Sequence, residues 1–319
     1  MELGGYFELE RNKTKEFHNS AIRLNSARNA FEYLLVVKKY QKVYIPFYTC
    51  DSILQPLIKH KIEYEFYKID LFFNPIFQFE KLKKNEVFFY INFFGVKNEV
   101  VERLANSNHN LIIDNSQAFF DKPFVGIDTF YSARKFFGVP DGAYLYSDKI
   151  LKEPFRVANS LSRMNHLLIR LDKNAREGYE SFCRSEDSLN DSPLLLMSNL
   201  TRRLLESIDY KDKFKRRIQN FKYLGKHLNS INKIKFNLCN DQAPMYYPLL
   251  IDNFNIKDKL IKQNIYVPTF WNEVLNRVDS STVEYNLTTN LHLLPIDHRY
   301  TKMDLNKILE IINYEYCRK

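Results

Sequence analysis

The sequence predicts an α/β fold with a large domain, whose mostly parallel sheet is flanked by helices, and a smaller α+β domain at the carboxyl end. Three observations support this prediction. In the first half of the chain, apolar strand patterns alternate with helical patterns, as in parallel sheets. A long amphipathic pattern at 199–231 then predicts one helix, of the kind that links two domains. Shorter strands and helices follow it. We place the boundary near residue 210, so that the predicted domains are 1–210 and 211–319.

The composition is that of an ordinary globular protein, with 45% hydrophobic and 27% charged residues among 319. Its 8 glycines are too few and too scattered for a G-x-G-x-x-G or P-loop motif, which excludes the usual dinucleotide and Walker-type sites. The net charge of +9 is spread along the chain, and its densest group, at 211–217, lies within a helical pattern. We therefore expect a solvated basic face and no nucleic-acid partner.

The four cysteines, Cys50, Cys183, Cys239 and Cys317, are far apart and form no C-x-x-C motif. This spacing favours reduced thiols in a cytoplasmic protein and argues against structural zinc. The first residues have no apolar core of a signal peptide. No apolar run approaches the ~18 residues that a membrane span requires. We expect no membrane association.

In the first half, residues 1–20 are predicted to be an exposed arm with one short strand at 4–10. A helix should begin at a cap formed by Asn25 or Ser26 and continue to Tyr40. A second helix should follow a cap at 49–51. The predicted strands are 42–48, 62–69, 87–95, 111–114 and 143–147, and a third helix is predicted at 100–106.

In the second half, residues 156–182 have a helical pattern, and 185–193 form a polar loop. Strands are predicted at 233–238, 245–252 and 266–271, with a helix at 255–264. The chain should end in an amphipathic helix that is capped near Thr301.

Several polar residues follow directly after predicted strands. Asp114 ends the apolar strand 111–114, Asn92 lies near the end of 87–95, and Tyr48 and Thr49 end 42–48. In open α/β sheets, ligands collect beyond the carboxyl ends of the strands. Helices capped at Ser26 and Thr49 would add free backbone N–H groups, which attract anions. We therefore expect the functional site at this edge.

The stretch from Leu111 to Tyr146 has the strongest chemical signal. Lys135 follows Asp114 by 21 residues, and Asp141-Gly142 begins six residues later. A buried carboxylate can hold a cationic ring, and a lysine amine can condense with an aldehyde. Pyridoxal phosphate (PLP) requires both groups, and also a cradle for its phosphate. Gln117 would contact the ring. Ser132 and the residues Ser26, Ala27 and Arg28 would hold the phosphate.

The order of five segments resembles the DegT/DnrJ/EryC1/StrS family of PLP-dependent sugar aminotransferases. These segments are LNSARNAF, VYIPFYTC, YINFFG, LIIDNSQAFF and FYSARKFFGVPDGAYLY, and the terminal LLPIDHRYTKMDL is also similar. The resemblance covers most of the chain. Its more specific parts are D-x-x-Q after an apolar strand and a lysine six residues before an acidic-Gly pair.

The resemblance implies that Lys135 forms the Schiff base with the cofactor and moves the proton. It implies that Asp114 contacts the pyridinium nitrogen and that Gln117 contacts the cofactor. Ser26, Ala27 and Arg28 match the family's Ser-Gly-Thr phosphate corner, with Ala in place of Gly and Arg in place of Thr. Where the family often has a serine, about five residues before the lysine, this chain has Phe130, and Ser132 is the substitute that we expect. Tyr48 or Phe47 is closest to the family's ring-stacking position.

The resemblance also implies a fold type I homodimer with a shared active site. The expected reaction transfers an amino group, from glutamate, to a keto-sugar attached to a nucleotide, for surface polysaccharide or amino-sugar biosynthesis. Two alternatives remain open. Some relatives dehydrate sugars after the lysine is replaced by histidine, and Lys135 argues against this. A catalytically silent relative could instead be a binding or scaffold protein.

Overall fold

A mostly parallel sheet of eight strands forms the centre of the amino-terminal part. The computed structural model describes residues 3–107, 110–152, 155–236, 238, 242–251 and 256–316. The strands are β1 Ile22–Leu24, β2 Lys42–Pro46, β3 Glu63–Ile69, β4 Pro75–Ile76, β5 Glu86–Ile91, β6 Leu111–Asp114, β7 Asp128–Ser132 and β8 Ala143–Tyr146. Their order is β1-β8-β7-β6-β5-β2-β3-β4. Strands β3, β2, β5, β6 and β7 run parallel, and β8, β1 and β4 are antiparallel to their neighbours.

The burial of the strands follows from their sequences. The central strands β5, β6 and β7 are buried along their whole length, as expected of strands with both faces covered. Strand β3 alternates between exposed and less exposed residues, because it lies near the edge of the sheet. The predicted α/β class is therefore confirmed.

Ten α-helices are present in the described ranges. They are α1 Ala27–Lys38, α2 Leu54–Lys59, α3 Asn98–Ala105, α4 Asn165–Asp172, α5 Tyr179–Asp187, α6 Asn199–Leu205, α7 Tyr210–Leu228, α8 Ile256–Lys262, α9 Val283–Asn290 and α10 Lys302–Tyr316. The cap near Thr301 is present before α10, because the Asp304 carboxylate accepts hydrogen bonds from the Thr301 N–H at 2.9 Å and its hydroxyl at 2.8 Å. None of these helices is long and apolar enough to cross a membrane.

The carboxyl-terminal part contains a separate antiparallel sheet of β9 Tyr246–Leu250 and β10 Leu291–Pro295. Its core is continuous with that of the large sheet. Helix α7 begins at Tyr210, beside the predicted boundary. The division into domains at residue 210 remains a prediction.

Several predicted elements are wrong. Residues 4–10 and 266–271 form no strand, and the helix predicted at 199–231 is divided into α6 and α7. The break occurs at 206–209, where the Asp209 carboxylate caps α7 by accepting from the Asp212 N–H at 3.0 Å. The helical pattern at 156–182 also contains two helices with a break.

The strand predicted at 233–238 is irregular at 233–236, and part of it lies outside the described residues, as do Cys239 and Cys317. Cys50 and Cys183 have free thiols. Strands β1, β4, β7 and β10 are not predicted from the sequence. β1 and β4 have only 3 and 2 residues, β7 begins with an aspartate and a threonine, and β10 ends at a proline.

His18 is buried among aromatic rings beneath the first residues of the chain, with a relative exposure of 2%. Its ring centroid is 4.1 Å from that of Tyr131. Its Nε2 donates to the Phe119 carbonyl at 2.7 Å, so Nδ1 accepts from the Tyr146 hydroxyl at 3.1 Å. The neutral imidazole is thus fully hydrogen-bonded. Burial lowers the pKa of His18 from 6.5 to about 4, although the Phe119 carbonyl opposes the shift.

We expect the protein to lose stability as the pH falls from 6.5 to 5. In this range the unfolded state binds a proton at His18 and the folded state does not, so acid favours unfolding. The contribution of His18 is about 2 kcal/mol of unfolding free energy. Urea titrations at the two pH values measure it. The variant His18→Gln should have the weaker pH dependence, and an unchanged dependence would contradict the prediction.

Candidate functional site

Asp114 and Lys135 lie together at the carboxyl edge of the parallel sheet. Asp114 is the last residue of β6 and is paired with Phe130 of the neighbouring strand β7. Lys135 ends the 3₁₀ turn Ala133–Lys135 that follows β7 directly. The two side chains are close enough for the lysine charge to lower the pKa of the Asp114 carboxyl. The tertiary structure therefore brings together the two residues that the sequence separates by 21 positions.

The Asp114 carboxylate is buried, with a relative exposure of 8%. Its Oδ1 accepts a hydrogen bond from the Ser116 N–H at 2.7 Å. Burial raises the pKa of Asp114, and the opposing effects of Lys135 and Ser116 are smaller. An ionised carboxylate in such a place is stabilised by an adjacent cation. A protonated ring nitrogen would be such a cation.

Backbone hydrogen bonds connect the Lys135 turn to the start of α1. The Ala133 N–H donates to the Gly142 carbonyl at 3.0 Å, and the Gly142 N–H donates to the Asn25 carbonyl at 2.6 Å. Asn25 directly precedes Ser26, which is the N-cap of α1. These bonds connect the turn that contains Lys135, Gly142 and the start of α1 at the edge of the sheet.

The acidic-Gly pair after Lys135 has a structural role. The Asp141 carboxylate is buried and accepts from the Ser198 N–H at 2.9 Å, the Ser198 hydroxyl at 2.8 Å and the Thr201 hydroxyl, so it is bonded to the start of α6, whose N-cap is Ser198. Gly142 has φ +115°, and a Cβ there would lie 2.9 Å from the Thr201 methyl. The pair thus fixes α6 against the lysine turn.

The start of α1 is a suitable anion site. The Ser26 hydroxyl accepts from the Asn29 N–H at 3.2 Å, which confirms the predicted cap. The N–H groups at the first two helical positions, Ala27 and Arg28, have no partner within a helix. Ser132 lies at the end of β7, two residues before Arg134, and is also buried.

The predicted helix cap at Thr49 is wrong, and the anion site expected there stays a prediction. The turn that precedes α2 is a 3₁₀ helix, Asp51–Ile53, whose N-cap is Cys50 and which has no side-chain cap. The Thr49 hydroxyl and the Tyr48 hydroxyl are buried and have no hydrogen-bond partner in the described ranges. These two groups could therefore accept or donate to a bound molecule.

The expected ring-stacking residues are packed against the protein. The Phe47 ring stacks on Phe66, with centroids 4.9 Å apart. The Tyr48 ring is fully buried and contacts Trp271 edge-on, at 5.1 Å. Neither ring is assigned to a cofactor on this geometry.

Gln117 supports the loop after β5. Its Oε1 accepts from the Phe94 N–H at 2.9 Å, and the residue is buried. Asn92, in the same loop, is bonded to Asn115 at 3.2 Å. Gln117 thus has a structural contact, and its predicted contact with the cofactor stays a prediction.

We expect Gly95→Ala to lower the free energy of unfolding by about 2 kcal/mol or more. Gly95 has φ +72°, and a Cβ there would lie only 2.7 Å from the Gln117 carbonyl oxygen and 3.3 Å from the Pro244 Cα. The matched control is Gly126→Ala. Gly126 has φ +80° and no atom near its Cβ position, so it has the strain of positive φ without the clash. Equal losses in urea titrations would contradict the predicted clash.

The charges of two arginines, Arg28 and Arg163, act on Arg134 in the turn that contains Lys135. Arg134 forms an ion pair with Glu186 of α5, and 16% of its side chain is exposed. Burial, followed by the charges of Arg28 and Arg163, lowers the pKa of Arg134 to about 10, although the charge of Asp141 opposes the shift. The sequence gives no signal for Arg163, because it lies in a weakly patterned segment 28 residues from Lys135.

The sheet thus presents a carboxylate at the end of β6 and a lysine directly after β7. No protein-family model matches the sequence, and no curated protein is significantly similar to it.

Comparison with solved structures gives the same fold over most of the chain. A DegT/DnrJ/EryC1/StrS aminotransferase from Brucella abortus is 14% identical, with a TM-score of 0.61, over 92% of this chain and 85% of that one. The sugar aminotransferase CalS13 from Micromonospora echinospora is 12% identical, with a TM-score of 0.59, over 92% and 87%. The PLP form of Spr1654 from Streptococcus pneumoniae is 14% identical, with a TM-score of 0.63, over 92% and 86%. At these identities, the similarity establishes the fold.

Proposed function

We propose that the protein is a PLP-dependent aminotransferase that aminates a keto-sugar. One observation carries this proposal: Lys135, in the turn that follows β7, is close enough to the buried Asp114 carboxylate at the end of β6 for its charge to lower the pKa of that carboxyl, at the carboxyl edge of a sheet with the fold type I strand order. The similar structures include a sugar aminotransferase and a PLP form, which supports both parts of the proposal.

The residues at this edge fit the cofactor. Asp114 would contact the pyridinium nitrogen, since a buried carboxylate with a raised pKa is stabilised by a cation. The start of α1 would bind the phosphate. The buried hydroxyls of Thr49 and Tyr48 have no hydrogen-bond partner in the part of the chain that the structure describes, as expected beside a molecule that supplies one. When bound, PLP supplies an aldehyde that reacts with amines and a ring that accepts electrons.

Lys135 would act in two ways. Its amine would hold the cofactor covalently. Once released by the amino donor, the same amine would take the proton from the carbon that carries the donor's amino group, and in the second half of the reaction it would give a proton to the corresponding carbon of the product. Its side chain is half-buried and, among the described residues, has no carboxylate within ion-pair distance. Asp141 would keep the turn in place through α6.

We propose glutamate as amino donor, a nucleotide-linked keto-sugar as acceptor, and a homodimer with a shared active site. These details rest on the resemblance of the lysine and aspartate segments to the sugar aminotransferase family. The net charge of +9 also favours an anionic substrate.

The test is to purify the protein with PLP and to record its visible absorbance. We expect a visible band that borohydride bleaches, with the cofactor then fixed to the peptide containing Lys135. Incubation with glutamate and a panel of keto-sugar nucleotides should yield an amino sugar in mass spectrometry. A colourless protein that takes up no added PLP would overturn the proposal.

A further inference from the structure

The arginines beside Lys135 form an unusual concentration of positive charge. Arg28 lies in the first turn of α1, Arg163 donates to the Asn25 side chain just before that helix, and Arg134 lies in the turn that backbone hydrogen bonds connect to Asn25. The charges of Arg28 and Arg163 also act on Arg134. A helix start already carries a partial positive charge, and the first turn of α1 contains no acidic residue. An anion bound nearby would stabilise this arrangement.

The hydrogen bonds of two of these arginines leave their charge without a close counterion. Arg28 donates to the amide oxygens of Gln55 at 3.1 Å and Asn190 at 2.6 Å. Arg163 donates to the Asn25 amide oxygen at 3.2 Å and the Ser160 hydroxyl at 2.8 Å. In the described part of the chain, neither has a carboxylate within ion-pair distance.

Nearby carboxylates balance this charge only in part. The charge of Asp191 acts on Arg28, but the two form no ion pair among the described residues. Glu186 is paired with Arg134. Asp141 acts on Arg134 and Arg163 at a distance, but its oxygens accept hydrogen bonds from Ser198 and Thr201. In addition, the Nε–H of Arg163 is buried without an acceptor among the described residues. The site can therefore accept an anion with several oxygens.

We propose that Arg28 and Arg134, supported by Arg163, bind the phosphate group of the cofactor through their guanidinium groups. The proposal rests on the proposed function and deepens it. A guanidinium donates two parallel N–H groups and matches the geometry of a phosphate. Arg28 occupies the position of the threonine in the Ser-Gly-Thr phosphate corner of the family that the sequence resembles. The arginines would therefore bind the phosphate where a threonine hydroxyl would otherwise do so.

The position of Arg134 points to the cofactor as the source of the phosphate. Arg134 directly precedes Lys135, and the Ala133–Gly142–Asn25 hydrogen bonds hold this turn against the start of α1. The Lys135 amine and the proposed phosphate site at Arg134 belong to adjacent residues. This closeness suits a small molecule that carries both an aldehyde and a phosphate. The diphosphate of a nucleotide is the other source with the same chemistry.

The test compares the affinities of PLP and pyridoxal, which lacks the phosphate, for protein freed of cofactor. Binding is followed by visible absorbance. We expect Arg28→Gln and Arg134→Gln to weaken PLP binding about 10- to 100-fold, because each removes charged hydrogen bonds. Pyridoxal binding should stay unchanged. Arg216→Gln is the matched control, because Arg216 is exposed on α7 and is bonded to Asp212. It should leave both affinities unchanged.

Each other outcome has a definite meaning. Unchanged PLP affinity in both arginine variants overturns the inference, while the proposed function stands. Weaker binding of UDP or dTDP with unchanged PLP affinity also overturns it, in favour of a nucleotide site. If the unaltered protein binds no PLP, the proposed function itself fails. Because Arg134 is ion-paired, Arg28→Lys is a second variant that keeps the charge, and we expect it to lose the two-point contact and to bind PLP more weakly.

Discussion

Replacing Lys135 by alanine is expected to abolish the visible absorbance band and to lower amino transfer at least about 10²-fold. The change removes both the amine that would hold the cofactor and the group that would move the proton. Because Lys135 is half-buried at the end of a turn and has no ion pair in the described ranges, its loss should alter stability little. Absorbance, transaminase rate and urea titration measure the three effects.

The matched control is Lys68→Ala, since Lys68 is an exposed residue of β3 away from the turn. It should keep the band and the rate. The same pair of variants separates the enzyme from a silent scaffold protein. In a strain that lacks the gene, an enzyme should restore the phenotype only with Lys135 present, whereas a scaffold protein should restore it in either form. Full activity of Lys135→Ala would refute the assignment.

Replacing Asp114 by asparagine is expected to lower the rate of amino transfer on the order of 10²-fold, the usual effect of losing one aligned electrostatic contact in a site. Asparagine keeps the size of the side chain and can still accept from the Ser116 N–H, but it has no charge for a ring nitrogen. The rate with saturating PLP measures the effect. A rate equal to that of the unaltered protein would contradict the role of Asp114.

The same variant should not unfold more readily without cofactor. Burial raises the pKa of Asp114, so the folded protein binds a proton there more tightly than the unfolded chain does. Stability from this group therefore decreases as the pH rises through the raised pKa, and the ionised form is unfavourable at neutral pH. Asp114→Asn removes that charge. We expect equal or higher resistance to urea at pH 7 together with lower activity, a combination that a purely structural role would not give.

Much of the fold follows from local patterns. The apolar run of β6, the alternation in β3 and the cap at Ser26 depend on residues adjacent in the chain, so the sequence predicts them. The same holds for the cap near Thr301. For the site, the sequence placed Asp114 at a strand end because a short apolar run followed by a carboxylate is a local signal.

Thr49 has the same kind of local signal as Ser26 and yet is no cap. The corner it belongs to is held from outside: Arg277, from the carboxyl-terminal part, donates to the Thr49 carbonyl at 2.8 Å and forms an ion pair with Asp51. A contact between residues more than 200 positions apart cannot be found from spacing. Strand β1 escapes prediction for a related reason, since a segment of 3 residues is a strand only when it is paired.

The sequence by itself determined the α/β class, the strand that ends at Asp114, the helix that begins at Ser26 and the lysine that follows. Only the tertiary structure brings Asp114, Lys135 and the start of α1 to one edge of the sheet, through the pairing of β6 with β7 and the Ala133–Gly142–Asn25 hydrogen bonds. The tertiary structure also places Arg163 where its charge acts on Arg134. The reason is physical: caps and apolar runs arise from neighbouring residues, whereas the electric field at a site sums charges from distant segments, and only the folded chain brings these together.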